Sequence, residues 1–204
     1  MSKPTPVPQS IPAPDEVLGR DDPRRQRLHH LILEHALLFG DFILSSGRRS
    51  KYLFQLRQTT MLPEGASLLG GIIVEYMRGN GLHTVGGMEL GAVPLVTSVS
   101  VASHSAGWPL RAFFVRKKAK EHGAGERIDG HVKDGEEVLL VDDVATSGKS
   151  MFDALAGLHT EFPNCYVKKA LVVIDRQEGA AQALADRNIQ LVSLFKKSDF
   201  PIPA

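Results

Sequence analysis

Cysteine is almost missing from this chain: Cys165 is the only one among 204 residues. A single thiol excludes an internal disulfide framework and any cysteine-cluster metal site, and it suits a reducing compartment. Charge of one sign is not in excess either. Twenty-four Lys+Arg against 23 Asp+Glu leave a net charge of +1, so no whole-molecule field steers the protein toward nucleic acid or an anionic membrane. Long hydrophobic runs are absent, and none reaches the ~18 residues of a membrane span. The opening MSKPTPVPQSIPAPDEV lacks the apolar core of a secretory signal. The expectation is a cytoplasmic protein with neither nucleic acid nor membrane as partner.

What is present has the size of one domain, since single domains commonly reach about 150–250 residues. Pro4, Pro6, Pro8, Pro12, Pro14 and Pro23 crowd the start. Proline removes amide donors and favours extended chain. Residues 1–21 therefore read as a flexible Pro-rich arm and 22–204 as one domain. Asp22-Pro23 is an N-cap and first-turn pair opening a helix that carries Leu28, Leu31, Ile32, His35, Leu38 and Phe39 and closes at Gly40. A strand–turn–strand follows around Ser45-Ser46-Gly47, then a helix from Pro63 to Asn80-Gly81. Short apolar strands at Leu82–Val85, Arg111–Val115, Val138–Val141, Ala170–Ile174 and Leu191–Leu194 alternate with helices near 93–104, 149–161 and 178–187. Unbroken apolar strands alternating with helices predict an α/β fold with an open, mostly parallel sheet covered on both faces. Ligands bind such sheets at the carboxyl ends of the strands.

The segment Val138-Leu-Leu-Val-Asp-Asp-Val-Ala-Thr-Ser-Gly-Lys-Ser150 is the most informative. A buried strand runs into Asp142 and Asp143, then into a hydroxyl- and glycine-rich loop opening a helix. Amides at a helix N-terminus, with the hydroxyls of Thr146, Ser147 and Ser150, form a phosphate cradle, and Gly148 allows close approach. Gly148-Lys149-Ser150 is not a Walker A motif: Asp143 stands where that motif needs glycine. Two carboxylates beside a monophosphate cradle suit a sugar phosphate such as a ribose 5-phosphate, whose hydroxyls they accept. The other reading is an ordinary helix cap after two solvated aspartates. A second feature is the stretch FFVRKKAKEHGAGERIDG from Phe113 to Gly130. Its cations, Arg116, Lys117, Lys118, Lys120 and Arg127, lie among Gly123, Gly125 and Gly130. A mobile cationic loop of this kind can close over a diphosphate.

The Val138–Ser150 segment resembles the 5-phosphoribosyl 1-diphosphate (PRPP) signature of the type I phosphoribosyltransferases. The resemblance implies that fold, with a small hood, and a Mg²⁺-assisted displacement of pyrophosphate from PRPP by a nitrogen base. Arg116, Lys117, Lys120, His122 and Gly123 match the Arg-Lys-x-x-Lys-x-His-Gly loop of the orotate phosphoribosyltransferases, and Asp175-Arg-Gln-Glu178 matches their orotate-contacting segment. Phe42–Tyr52 is similar to their hood segment. The implied activity joins orotate and PRPP into orotidine 5'-monophosphate and pyrophosphate, a step of pyrimidine synthesis. Implied catalytic residues are Lys120, His122, Asp142 and Asp143. PRPP contacts are implied for Arg116, Lys117, Lys120, His122 and for Asp142, Asp143, Val144, Ala145, Thr146, Ser147, Gly148, Lys149 and Ser150. Thr146 and Arg176 are implied to contact orotate; a guanidinium suits the carboxylate that distinguishes orotate from uracil. A homodimer sharing the Arg116–Gly123 loop across its interface is also implied, with Mg²⁺ bound mainly through PRPP.

The sequence departs from many relatives at two places: Ser45 and the Glu89-Leu90 pair stand where lysines are common. A transferase for another base, or a PRPP-sensing regulator, remain alternative readings. His29, His30 and His104 read as surface or satisfied side chains, and Cys165 as a small buried residue.

Overall fold

The computed structural model describes residues 17–43, 49–118 and 126–202. Ser45, Lys120, His122, Gly123 and most of the Pro-rich arm lie outside the described residues. Val17 and Leu18, ahead of the first helix, are both packed into the main core.

Helix α1 (Pro23–His35) starts as its sequence requires: the Asp22 carboxylate accepts the Arg24 amide at 2.8 Å, and proline occupies the first turn. It ends at His35, not at Gly40. Leu37, Leu38 and Phe39 instead begin strand β1 (Leu37–Ile43), paired antiparallel with β2 (Arg49–Phe54). The helical spacing of Leu38 and Phe39 yields to cross-strand pairing, Leu37 with Phe54 and Phe39 with Tyr52. The pair carries the described residues of the Phe42–Tyr52 segment expected to form the hood; residues 44–48 lie outside the described residues. A short helix α2 (Arg57–Thr60) links it to α3 (Pro63–Gly79), whose buried Leu69, Ile72, Ile73, Tyr76 and Met77 lie on one face.

The main sheet has six strands in the order β5-β4-β3-β6-β7-β8. They are β3 (Thr84–Gly86), β4 (Arg111–Val115), β5 (Ile128–Gly130), β6 (Glu137–Ala145), β7 (Tyr166–Asp175) and β8 (Gln190–Lys196). All pairs are parallel except β4–β5, an antiparallel edge that the sequence pattern did not predict. Helices α4 (Ala92–Ser105), α5 (Lys149–Glu161) and α6 (Ala180–Ala185) complete the α/β alternation. The central stretches Val138–Val141 of β6 and Ala170–Ile174 of β7 are apolar because both faces of the sheet are buried there. Leu139, Val141, Leu171 and Val173 point into a core shared with α3 and α4, while Val138, Leu140, Ala170 and Val172 point into a second one shared with α5 and α6.

That alternation carries into the acidic pair. β6 does not stop at Val141; it stays paired with β7 through Val144↔Ile174 and Ala145↔Asp175. Successive strand residues face opposite ways, so Asp142 continues toward α5 and Asp143 toward the face of α3 and α4, where Arg57 acts on it.

Candidate active site

An open cleft of about 990 Å³ lies at the carboxyl ends of β3, β4 and β6. Its floor is the acidic pair. The Asp142 carboxylate accepts the Ser150 hydroxyl at 2.5 Å and the Asp143 amide at 2.9 Å, and the Asp143 carboxylate accepts the Val144 amide at 2.8 Å. Asp142 is only 6% exposed. Burial, then the adjoining Asp143 charge, push the Asp142 carboxyl up to about 7, against the opposing pull of the Ser150 hydroxyl. Burial also raises Asp143, while the Val144 amide and the charge of Arg57 act to lower it.

Beside the pair, α5 opens on Gly148, whose φ of 80° is a left-handed conformation that suits glycine. No side chain caps this helix. The Met151 amide donates to the Gly148 carbonyl at 3.1 Å, and the start of the helix ahead of it faces the cleft, with Thr146, Ser147, Lys149 and Ser150 among the lining residues. Lys149 also reaches Asp153 at 2.5 Å, one helical turn on.

The opposite wall is the turn from Gly86 to Gly91. The Glu89 amide donates to the Val115 carbonyl at 2.9 Å, the Val115 amide donates to the Gly87 carbonyl at 2.8 Å, and the Glu89 carboxylate accepts the Lys117 amide at 2.8 Å. The Glu89–Leu90 peptide is cis. Leu90 is 59% exposed and lines the cleft with Glu89 and Gly91. A Cβ on Gly91 would run into the carboxylates of both Asp142 and Asp143, so glycine lets this turn lie against the acidic pair.

The cationic stretch begins at this same end of the sheet. Lys117 and Arg127 line the cleft. Arg116 pairs with Asp129 at 3.2 Å, and its carbonyl accepts Arg127 Nε at 2.9 Å. Arg176 follows β7. Its amide donates to the Ala145 carbonyl at 3.0 Å, and the Ala180 amide donates to the Thr146 carbonyl at 3.0 Å, which stitches the β7–α6 loop to the phosphate cradle. The Arg176 side chain is 6% exposed and is not part of the cleft lining; it is bound to Tyr52 and Glu178.

The structure thus brings Lys117, Asp142, Asp143, Val144, Thr146, Ser147, Lys149 and Ser150 to one cleft. It adds Arg57, from the helix behind the hood hairpin, as a cleft cation acting on Asp143. Nothing in the local pattern of Gln55-Leu56-Arg57-Gln58 marks that arginine, because its role depends on a fold contact. The residues set aside in the sequence are accounted for: His29 Nε2 meets the Asp199 carbonyl at 2.8 Å, His30 and His104 are exposed, and Cys165 is buried.

No family model matches the chain. Curated relatives do. The orotate phosphoribosyltransferase of Methanopyrus kandleri is 44% identical over 176 residues, covering 86% of this chain and 91% of the relative. That of Bradyrhizobium sp. (strain ORS 278) is 38% identical over 180 residues, covering 86% of this chain and 96% of its own. The orotate phosphoribosyltransferase of Mycobacterium tuberculosis H37Rv, crystallised in complex with PRPP, superposes with a TM-score of 0.71 at 30% identity over 87% of this chain and 98% of that one. With sequence, fold and cleft in agreement, the chain belongs to the orotate phosphoribosyltransferase family.

Proposed function

We propose the following division of labour for the family's reaction, in which orotate and PRPP give orotidine 5'-monophosphate and pyrophosphate. The bond between orotate N1 and the anomeric carbon forms as the bond from that carbon to the diphosphate oxygen breaks; N1 gives up its proton, and charge moves onto the leaving pyrophosphate, whose oxygens can take that proton. The observation that carries the reading is the meeting, in one cleft, of the Asp142–Asp143 pair and the uncapped N-terminus of α5.

The 5'-phosphate rests on the backbone from Val144 to Ser150 and on the hydroxyls of Thr146, Ser147 and Ser150. Asp142 and Asp143 accept the ribose hydroxyls and oppose the positive charge that develops on the ring. Arg116, Lys117, Lys120 and His122 gather around the departing pyrophosphate, with Arg57 as a further cation on the hood side. Thr146 and Arg176 orient orotate.

Among the described residues no group of three or more His, Cys, Asp or Glu side chains is placed to hold a metal ion. The cleft does hold two adjacent carboxylates facing an anion cradle, a donor set that fits Mg²⁺ carried in on phosphate oxygens. Asp142 and Asp143 would be the protein side of that site, and the metal would neutralise charge on the diphosphate. A homodimer that shares the Arg116–Gly123 loop across its interface belongs to the same proposal, as does a cytoplasmic location. Among the described residues no helix is long and apolar enough to cross a membrane.

Steady-state kinetics of Lys120→Ala test the assignment of the loop. At least a ~10-fold loss of turnover is expected when a charge facing the leaving group is removed; wild-type rates in the variant would remove Lys120 from the site.

A further inference from the structure

The contacts of Arg176 form a cluster that draws on three separate parts of the chain. From β2, the Tyr52 hydroxyl accepts Arg176 Nη2 at 2.8 Å and Nε at 3.2 Å. From the loop after β7, Glu178 pairs with Nη2 at 2.8 Å. From the turn after β8, Lys197 places its ammonium 5.4 Å from the centre of the Tyr52 ring, and Arg176 Cζ lies 4.7 Å from the same centre. The turn carrying Lys197 is docked on the arginine loop, where the Ser198 amide donates to Gln177 Oε1 at 3.2 Å.

We infer that Tyr52 is the positioning residue of a carboxylate reader centred on Arg176, and that Lys197 completes it. The inference rests on the reading of this chain as an orotate-using transferase and names what makes it selective for the acidic pyrimidine. Arg176 and Tyr52 are 6% and 7% exposed. A guanidinium that deep needs fixed partners, and without them its long side chain samples many rotamers. The phenol oxygen takes two N–H donors on one edge of the guanidinium and so fixes its plane. With its lone pairs engaged, the Tyr52 hydroxyl directs its own proton elsewhere, and among the described residues no acceptor takes it. The cluster therefore sets two cations, Arg176 and Lys197, against the Glu178 carboxylate and adds a hydroxyl whose proton has no acceptor among the described residues. A carboxylate on a flat heteroaromatic ring is the ligand chemistry that these groups match.

The decisive comparison is between Tyr52→Phe, which keeps the ring and removes the hydroxyl, and Lys197→Met. Each is assayed for kcat, for KM of orotate, for KM of PRPP and for inhibition by uracil, which lacks the carboxylate. The expected result for Tyr52→Phe is a rise of about 10-fold in the KM of orotate, the effect of one hydrogen bond to a charged group. Lys197→Met should shift the same constant in the same direction. The KM of PRPP and inhibition by uracil should stay within about twofold, because neither involves the carboxylate. An unchanged KM of orotate in both variants would overturn the inference. So would a parallel weakening of orotate and uracil, which would mean general loosening of the hood. Wild-type protein that consumes no orotate at all would instead overturn the underlying functional reading, so the two failures are separable.

Discussion

Asp142 retains its proton to a pH at which a surface carboxylate has lost it, because burial and the charge of Asp143 both oppose ionisation. A folded-state pKa raised above the unfolded value stabilises the fold fully below the unfolded pKa, and that contribution is lost as pH climbs through the folded value. For Asp142 the window runs from the ordinary carboxylate range, 3.8, to about 7. Asp142→Asn removes the ionisation and should melt above wild type near pH 8, with the gap closing toward about pH 4. Thermal unfolding across pH measures it, and a gap independent of pH contradicts the account. The same substitution should cut phosphoribosyl transfer by roughly 100-fold, as loss of an electrostatic contact at the reacting centre does. Arg57 is the other residue whose importance comes from its place. Arg57→Ala takes a cation from beside Asp143 and from the cleft. A rise of about 5–10-fold in the KM of PRPP, with little change in that of orotate, is the expected kinetic result.

At the scale of elements, the turn Gly86–Gly91 earns its glycines by lying against other parts of the site. A methyl group on Gly91 would come within 2.7 Å of the Asp143 carboxylate and would crowd Asp142 as well. Gly91→Ala should therefore weaken PRPP binding at least ~10-fold while Leu90→Ala, at a 59% exposed side chain, changes it little; calorimetric titration with PRPP compares them. How legible each element was in the sequence follows from how local its cause is. Strand β4 and helices α3 and α5 were readable because apolar periodicity, Pro63, Asn80-Gly81 and the Gly148 start act within a few residues. Leu38 and Phe39 carried helical spacing yet became a strand, because their partners lie at Tyr52 and Leu53, beyond any local window. The cradle and the acidic pair were legible as a run of adjacent residues. Arg57 and the gathering of Tyr52 and Lys197 on Arg176 were not, since they depend on contacts between segments far apart in the chain, 124 residues for Tyr52 and Arg176.

For the whole molecule, the fold places a sheet end, a helix N-terminus and Arg57 of α2 around one cleft, while the loop that completes it is proposed to come from a second copy. Mixing Lys120→Ala with Asp142→Asn subunits tests that arrangement. If loop and cradle of one site belong to different chains, mixed dimers each regain one intact site, and random reassociation should recover about a quarter of wild-type activity. A loop acting within its own chain leaves the mixture as inactive as its parts. The central claim, that this cleft joins orotate to the ribosyl carbon of PRPP, is tested most directly by product analysis. Purified protein is incubated with orotate, PRPP and Mg²⁺, and orotidine 5'-monophosphate and pyrophosphate are quantified. The account predicts that both form in equal amounts as orotate disappears, and that neither forms when PRPP is omitted. PRPP bound to the protein with orotate left unconsumed would contradict it.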